Sequence, residues 1–468
     1  MLLAAAPPAL ALVLLLARVD AVAAAAAALA CGVGVTLLAF PVPASRLVAA
    51  EGAALLTAVE VALIVLGGVL LFELMALAGA HEWLGRWVAA LVEDPGRRIL
   101  LVVLGVTPFA ESVTGFGVGV IVAAPILLQM GFPPARAALL ALLGLVAVPW
   151  GALAPGTLVA SRLADVPFDQ LGVASAVLSG PVFLIVGVAA LAASVGPRAV
   201  LQRAPDLGLA VGALWGGIWG ANLLLGTALA GVFGSLAATG AMLALARLRE
   251  GRPLAWDAGV RRALRPYALL VVLLLGSRLI AGLAGWQGAA RDVALSPALW
   301  LFVTAAGTPV LLGVPGAGVP GALSRGEARW RPVALTTLIF LALGALMTVT
   351  GMSAVLARAG ARLGDAYLLL APWIGGLGGF LTGSNAGANA MFAGAQADAA
   401  RQLAYPLDRL LAIQNVSASL LTMASAPRVA LAVGLLGPHA GVGGVLRAVL
   451  GIDVAVLAVL GAVAWALA

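Results

Sequence analysis

Apolar residues run along this chain in stretches long enough to cross a membrane, separated by short polar or glycine-rich segments. A spanning helix needs about 20 such residues, within a range of about 17–25. On that rule, passes are predicted near residues 2–17, 21–40, 52–80, 136–156, 171–195, 208–226, 228–246, 266–285, 298–321, 333–356, 408–436 and 448–467. Two further apolar segments do not read as straight helices. Residues 99–130 are interrupted by Pro108, Glu111 and the Thr114–Gly119 run. Residues 366–400 are interrupted by Thr382, Gly383, Ser384, Asn385 and Asn389. Polar and backbone groups left unsatisfied in hydrocarbon cost several kcal/mol each, so such breaks survive only inside protein or along a cavity. Both segments are read as re-entrant hairpins. The fold class predicted is an all-α polytopic membrane protein of about 12 transmembrane helices plus two re-entrant hairpins.

The two interrupted segments correspond. Thr114-Gly115 recurs as Thr382-Gly383, and the interval from Pro134 to Pro155 recurs from Pro406 to Pro427. Gly/Pro-interrupted hydrophobic segments in matching halves of a chain point to a transporter's binding site. Cytoplasmic loops carry an excess of basic residues. The arginine-rich loop 247–265 is therefore assigned to the cytoplasm, together with Arg97/Arg98, Arg136, Arg198/Arg203, Arg325/Arg329/Arg331 and Arg447. This count brings the two hairpins in from opposite faces. Two inverted repeats follow: 1–205 (hairpin 99–130, broken helix 136–156) and 266–468 (hairpin 366–400, broken helix 408–436), with 206–265 as linking helices and an Arg-rich loop.

Composition narrows the chemistry. Of 468 residues, 63% are hydrophobic and only 10% charged, which excludes an ordinary soluble domain. All 26 basic residues are arginine, and the net charge of +7 is read as cytoplasmic loops rather than a nucleic-acid surface. The single Cys31 excludes an internal disulfide, and His81 and His439 are too few and too far apart in sequence to suggest a metal site. No cofactor is expected, and lipid is the surrounding partner. An enzyme is the competing class, but no nucleophile–base–orienter set stands out, and a channel would not need inverted broken repeats.

Several strings resemble the L-lactate permease family: Gly115-Phe116-Gly117 followed by AAPILLQMGFPPARAALL, FLTGSNAGANAMFAGAQADAA with the downstream LAIQN, and ANLLLGTALAGVFGSLAA. The resemblance covers most of the chain from about residue 99 onward. It implies proton-coupled uptake of a small 2-hydroxy-monocarboxylate such as L-lactate or glycolate through the bacterial inner membrane, and a homodimer by analogy with a wider superfamily. The chain departs from the family pattern at Val118-Gly119, where Thr-Pro is usual, and at Ala386, where Thr is usual. Both changes remove a hydroxyl near the expected site and put the substrate's identity in doubt.

The candidate substrate-binding residues are Thr114, Gly115, Gly117, Thr382, Ser384, Asn385, Asn389, Asn415 and Arg428. Half-helix N-termini supply exposed N–H groups and partial positive charge to a small anion, and glycine lets the backbone approach closely. Arg428 follows the second broken helix and can attract a carboxylate. Glu111 is the candidate proton-coupling group, because an acid inside an apolar segment is expensive and functional by default; its alternative role is to pair with an arginine such as Arg136. Sodium stays open as a coupling ion, since loop carbonyls with Asn and Ser side chains can ligate a hard cation.

Overall fold

The computed structural model describes residues 1–115, 117–251, 257–437 and 441–467; Phe116, His439 and residues 252–256 of the arginine-rich loop lie outside them. Every regular element among the described residues is helical. Ten of these helices are long and apolar enough to cross a membrane, or eleven when Gly288–Leu295 and Pro297–Leu312, bent by 47°, count as one span. The sequence-based expectation of about twelve falls to ten or eleven, because Leu2–Leu16, of 15 residues, and Pro297–Leu312, of 16 residues, are each shorter than a span requires. The loop expected around Arg325, Arg329 and Arg331 does not exist, because Val319–Val349 is one continuous helix through all three. Glu73 on the facing helix pairs with Arg325 and Arg329, whose side chains stay half exposed on the helix surface.

Two hydrophobic cores divide the molecule. One is built on the long helix Ala44–Leu77, which packs against Val319–Val349 and Pro297–Leu312. Gly67 and Gly326 let these backbones close up: a methyl group on Gly67 would sit 2.7 Å from Leu301 Cβ. The second core gathers the interrupted segments together with Phe168–Val195 and Val442–Ala466. One close seam joins Ala366–Thr382 to Leu407–Leu421, where Gly375 and Gly379 lie one turn apart against the facing backbone. Small residues at that spacing are how membrane helices approach without a hydrophobic driving force.

Four breaks meet between the cores. The helical segment 95–114 widens into a π-turn over Val102–Val106, just before Pro108, which has no N–H to give the regular ladder. It stops at Gly115, whose φ of 69° and ψ of −167° suit glycine alone. The chain turns at this first tip into Val118–Gln129, which packs back against Thr107–Thr114. The second tip has the same design: Ala366–Thr382 ends at Gly383 in the left-handed region, and Ser384 caps Asn385–Gln402 by accepting a bond from the Gly387 N–H at 3.2 Å. Pro134–Leu143 continues as an irregular tight helix to Leu153, then restarts at Pro155. Leu407–Leu421 likewise breaks at Ser425 and restarts as Ala426–Leu436.

The first of these breaks is strained. Ala152, Leu153 and Ala154 take φ values of 40°, 64° and 72° in succession, none of them glycine. Each left-handed L-residue costs about 1–2 kcal/mol, and such strain collects at functional sites.

Candidate functional site

A small cavity of about 40 Å³ lies where the breaks meet. Its walls are Glu111 and Gly115 from the first tip, Gly156 from the first break, Ser384 and Asn385 from the second tip, and Arg428 from the second break. That volume holds a few waters, so an organic acid enters only when the tips part. A second cavity of about 530 Å³ adjoins it, sharing Gly383, Ser384 and Arg428 and continuing past Arg329. Away from that mouth, two cavities of about 570 Å³ each hold Glu60 and Arg162. One of them ends at Leu153, the neighbour of the cavity-lining Ala152.

Glu111 and Arg428 form the centre. Arg428 Nη1 donates to Glu111 Oε1 at 3.0 Å, with side chains 9% and 2% exposed, so the pair is buried. The Glu111 carboxylate also accepts from the Gly117 N–H at 3.1 Å and the Gly119 N–H at 3.2 Å, the start of Val118–Gln129. A helix N-terminus and a guanidinium thus hold a carboxylate between them. Arg428 is steadied by the Gly383 carbonyl at 3.4 Å. Gly119 supplies a donor that a proline at this position would lack. Arg136 is exposed, and the partner of Glu111 is Arg428.

At the second tip, Asn385 and Ala386 open the helix Asn385–Gln402 and line the cavity, and the first amides of a helix have no partner within it. The Asn385 side chain turns away into a buried network. Its Nδ2 donates to Asn415 Oδ1 at 2.9 Å, and Asn389 Nδ2 donates to the same oxygen at 2.9 Å and to the Gly156 carbonyl at 3.0 Å. Asn415 Nδ2 donates to Thr157 Oγ1 and Ser175 Oγ, both at 3.0 Å. Gln414 donates to Asn389, and Gln396 joins Gln414 to the Tyr367 hydroxyl.

Of the sequence candidates, Glu111, Gly115, Ser384, Asn385 and Arg428 come together on the cavity wall. Gly117 bonds to Glu111 behind it, and Thr382 lines the adjoining mouth. Asn389 and Asn415 stand one layer back in the network, and the Thr114 hydroxyl donates to its own helix at the Ala110 carbonyl. Residues the sequence reading missed are Thr157, Ser175, Gln396 and Gln414, whose partners only the fold reveals. Asp453 was missed too, although an acid within the apolar run of Val442–Ala466 was visible; it is fully buried with both oxygens unpartnered. Arg278, within Ala258–Leu283, pairs with Asp169 at 3.2 Å.

The network predicts a first outcome. Asn415→Ala removes the partner of the Asn385 amide and of the Ser175 hydroxyl and takes one bond each from Asn389 and Thr157, and each buried group left unsatisfied costs about 1–3 kcal/mol. The variant is expected to melt at a lower temperature in detergent and to lose most transport; an unchanged melting curve would show that the network carries little.

Membrane-crossing helices whose breaks converge on a buried carboxylate–guanidinium centre define a multi-pass membrane transporter. The L-lactate permease family model matches residues 1–273 and 291–468, and the chain belongs to that family. An L-lactate permease from Streptococcus iniae is 26% identical over 376 residues, which is 73% of this chain and 77% of that one. The L-lactate permease of Escherichia coli K12 is 39% identical over 101 residues, 21% of this chain and 18% of its own. The Salmonella typhi L-lactate permease is 38% identical over 101 residues. The relatives are permeases, not enzymes.

Proposed function

We propose that this chain is a secondary active transporter that carries a small monocarboxylate, L-lactate, glycolate or a similar 2-hydroxy acid, together with a proton across the bacterial inner membrane. One observation carries the reading. Glu111 is a carboxylate held by Arg428 and two helix-terminal amides, so the site is already built to bind a carboxylate. A proton on Glu111 removes its charge and loosens its hold on Arg428. The guanidinium then takes the substrate carboxylate, and the open amides at Asn385 and Ala386 supply further donors. Substrate and proton enter together because each makes room for the other.

Charge is conserved throughout. The empty site is a neutral ion pair, and the loaded site is a neutral acid, a cation and an anion. A neutral site crosses the membrane without the large penalty of a buried unpaired charge. In the same reading, the two tip-forming pairs are re-entrant hairpins of two inverted repeats, 1–205 and 266–468, joined by 206–265 and assembled as a homodimer.

The test is uptake of labelled lactate into proteoliposomes, with an imposed inward proton gradient and sodium varied separately. Accumulation that follows the proton gradient and collapses with a protonophore is expected, with glycolate and pyruvate competing. Accumulation that needs sodium and ignores the proton gradient would overturn the coupling. Transport of no small anion by folded protein would overturn the reading.

A further inference from the structure

The 530 Å³ cavity that reaches Arg428 contains a second guanidinium, that of Arg329 on Val319–Val349. Its surroundings are unusual. Glu73 on the long helix is 3% exposed and sits between two arginines, Arg325 and Arg329. Arg325 Nε donates to Glu73 Oε2 at 2.8 Å. Arg329 Nε lies 3.1 Å from Oε1 as an ion pair without hydrogen-bond geometry, and that oxygen accepts no hydrogen bond. One carboxylate faces two guanidiniums, which leaves one positive charge in excess at the mouth. The less well-bonded of the two arginines is the one that lines the cavity.

The rest of the wall suits a small polar anion. The Arg329 guanidinium is supported over the Phe72 ring at 5.3 Å, a geometry that leaves its edge for in-plane donation. Thr336, Thr337, Thr382 and Ser384 line the same cavity between Arg329 and Arg428. The contrast with the other mouth is sharp, for Arg162 shares that cavity with Glu60, Asp165 and Asp292. Positive charge in a cleft with low-dielectric walls concentrates anions.

We infer that Arg329 is a second carboxylate-binding station, which receives the substrate anion at this mouth and passes it to or from Arg428. Glu73 positions Arg329, and a substrate carboxylate competes for the loosely paired guanidinium. The inference rests on the transport reading above only for the identity of the anion.

The experiment combines arginine labelling with transport. Purified wild-type protein in detergent is treated with phenylglyoxal in chloride, or in lactate, glycolate or pyruvate at equal ionic strength, and each arginine is read by mass spectrometry. A several-fold slowing of Arg329 modification by a monocarboxylate, beyond that in chloride, is expected. Transport is then measured from each side of oriented vesicles. Arg329→Gln is expected to raise KM several-fold from the Arg329 side and to leave the maximal rate nearly intact. Arg329→Lys recovers part of the affinity, and Arg331→Gln, on the same helix but outside the cavity wall, leaves KM unchanged. Protection of Arg428 without protection of Arg329 would overturn the inference and leave the transport reading standing. An equal rise in KM for Arg331→Gln would overturn it too, by tracing the effect to the overall charge of the helix. Protection of both Arg329 and Arg428 with no uptake in vesicles would support the station while overturning transport.

Discussion

Glu111→Gln is expected to abolish proton-driven accumulation of substrate while leaving counterflow exchange. Glutamine is nearly isosteric with protonated glutamic acid, so the variant holds the site in its proton-loaded form. Arg428 is then free to bind the anion, and the loaded site can still cross in both directions. Net uptake needs the empty site to return, and that requires the Glu111–Arg428 pair to re-form at its 3.0 Å contact. Arg428→Gln has a different signature. It leaves the Glu111 charge with only the Gly117 and Gly119 amides. Removing one partner of a buried pair costs about 3–5 kcal/mol, so both single variants lose stability and the loss of exchange is what sets this one apart. This variant is expected to lose stability along with both uptake and exchange. The double variant, with neither charge, should recover the stability and none of the transport. Thermal melting beside uptake and counterflow separates the three. Retained gradient-driven accumulation in Glu111→Gln would remove Glu111 from the coupling.

The second large effect is expected at Gly379→Ala. A methyl group there would lie 1.9 Å from the Ala418 carbonyl oxygen, which is backbone and cannot swing aside. The Ala366–Thr382 and Leu407–Leu421 helices must separate, and overpacking of this kind costs about 1–3 kcal/mol. The movement also reaches function, because one helix leads into Gly383 and the other carries Asn415. Gly434→Ala is the matched control: it lies in Ala426–Leu436 with nothing within 4 Å of the added atom. Gly379→Ala should fall in melting temperature and in monodisperse yield, whereas Gly434→Ala should match or slightly exceed the wild type. Equal behaviour of the two would mean that the seam is not tight.

Much of this site was legible in the sequence, residue by residue. The Thr-Gly tips, the polar run after Gly383 and an acid at Glu111 are local anomalies in an apolar background, and hydrocarbon tolerates few of them. What sequence did not disclose is who meets whom. Arg428 lies 317 positions from Glu111, and Thr157 lies 258 positions from Asn415. No local pattern encodes those pairings. Charge was misleading where tertiary structure pairs it: Arg325, Arg329 and Arg331 read as a loop, yet they sit on an unbroken helix, two of them paired with Glu73. The strain at Ala152–Ala154 was invisible, because alanine and leucine carry no mark of a left-handed turn.

The exchange of one carboxylate for another on Arg428 makes a demand on electrical behaviour that few alternatives share. The measurement is initial lactate uptake into proteoliposomes at a fixed proton gradient, with membrane potentials of either sign imposed by potassium and valinomycin. A neutral site, empty or loaded, predicts the same rate at every potential and a rate that rises as the external pH falls. Uptake driven by potential at zero pH difference would show that net charge crosses with the substrate, and would contradict the account at its centre.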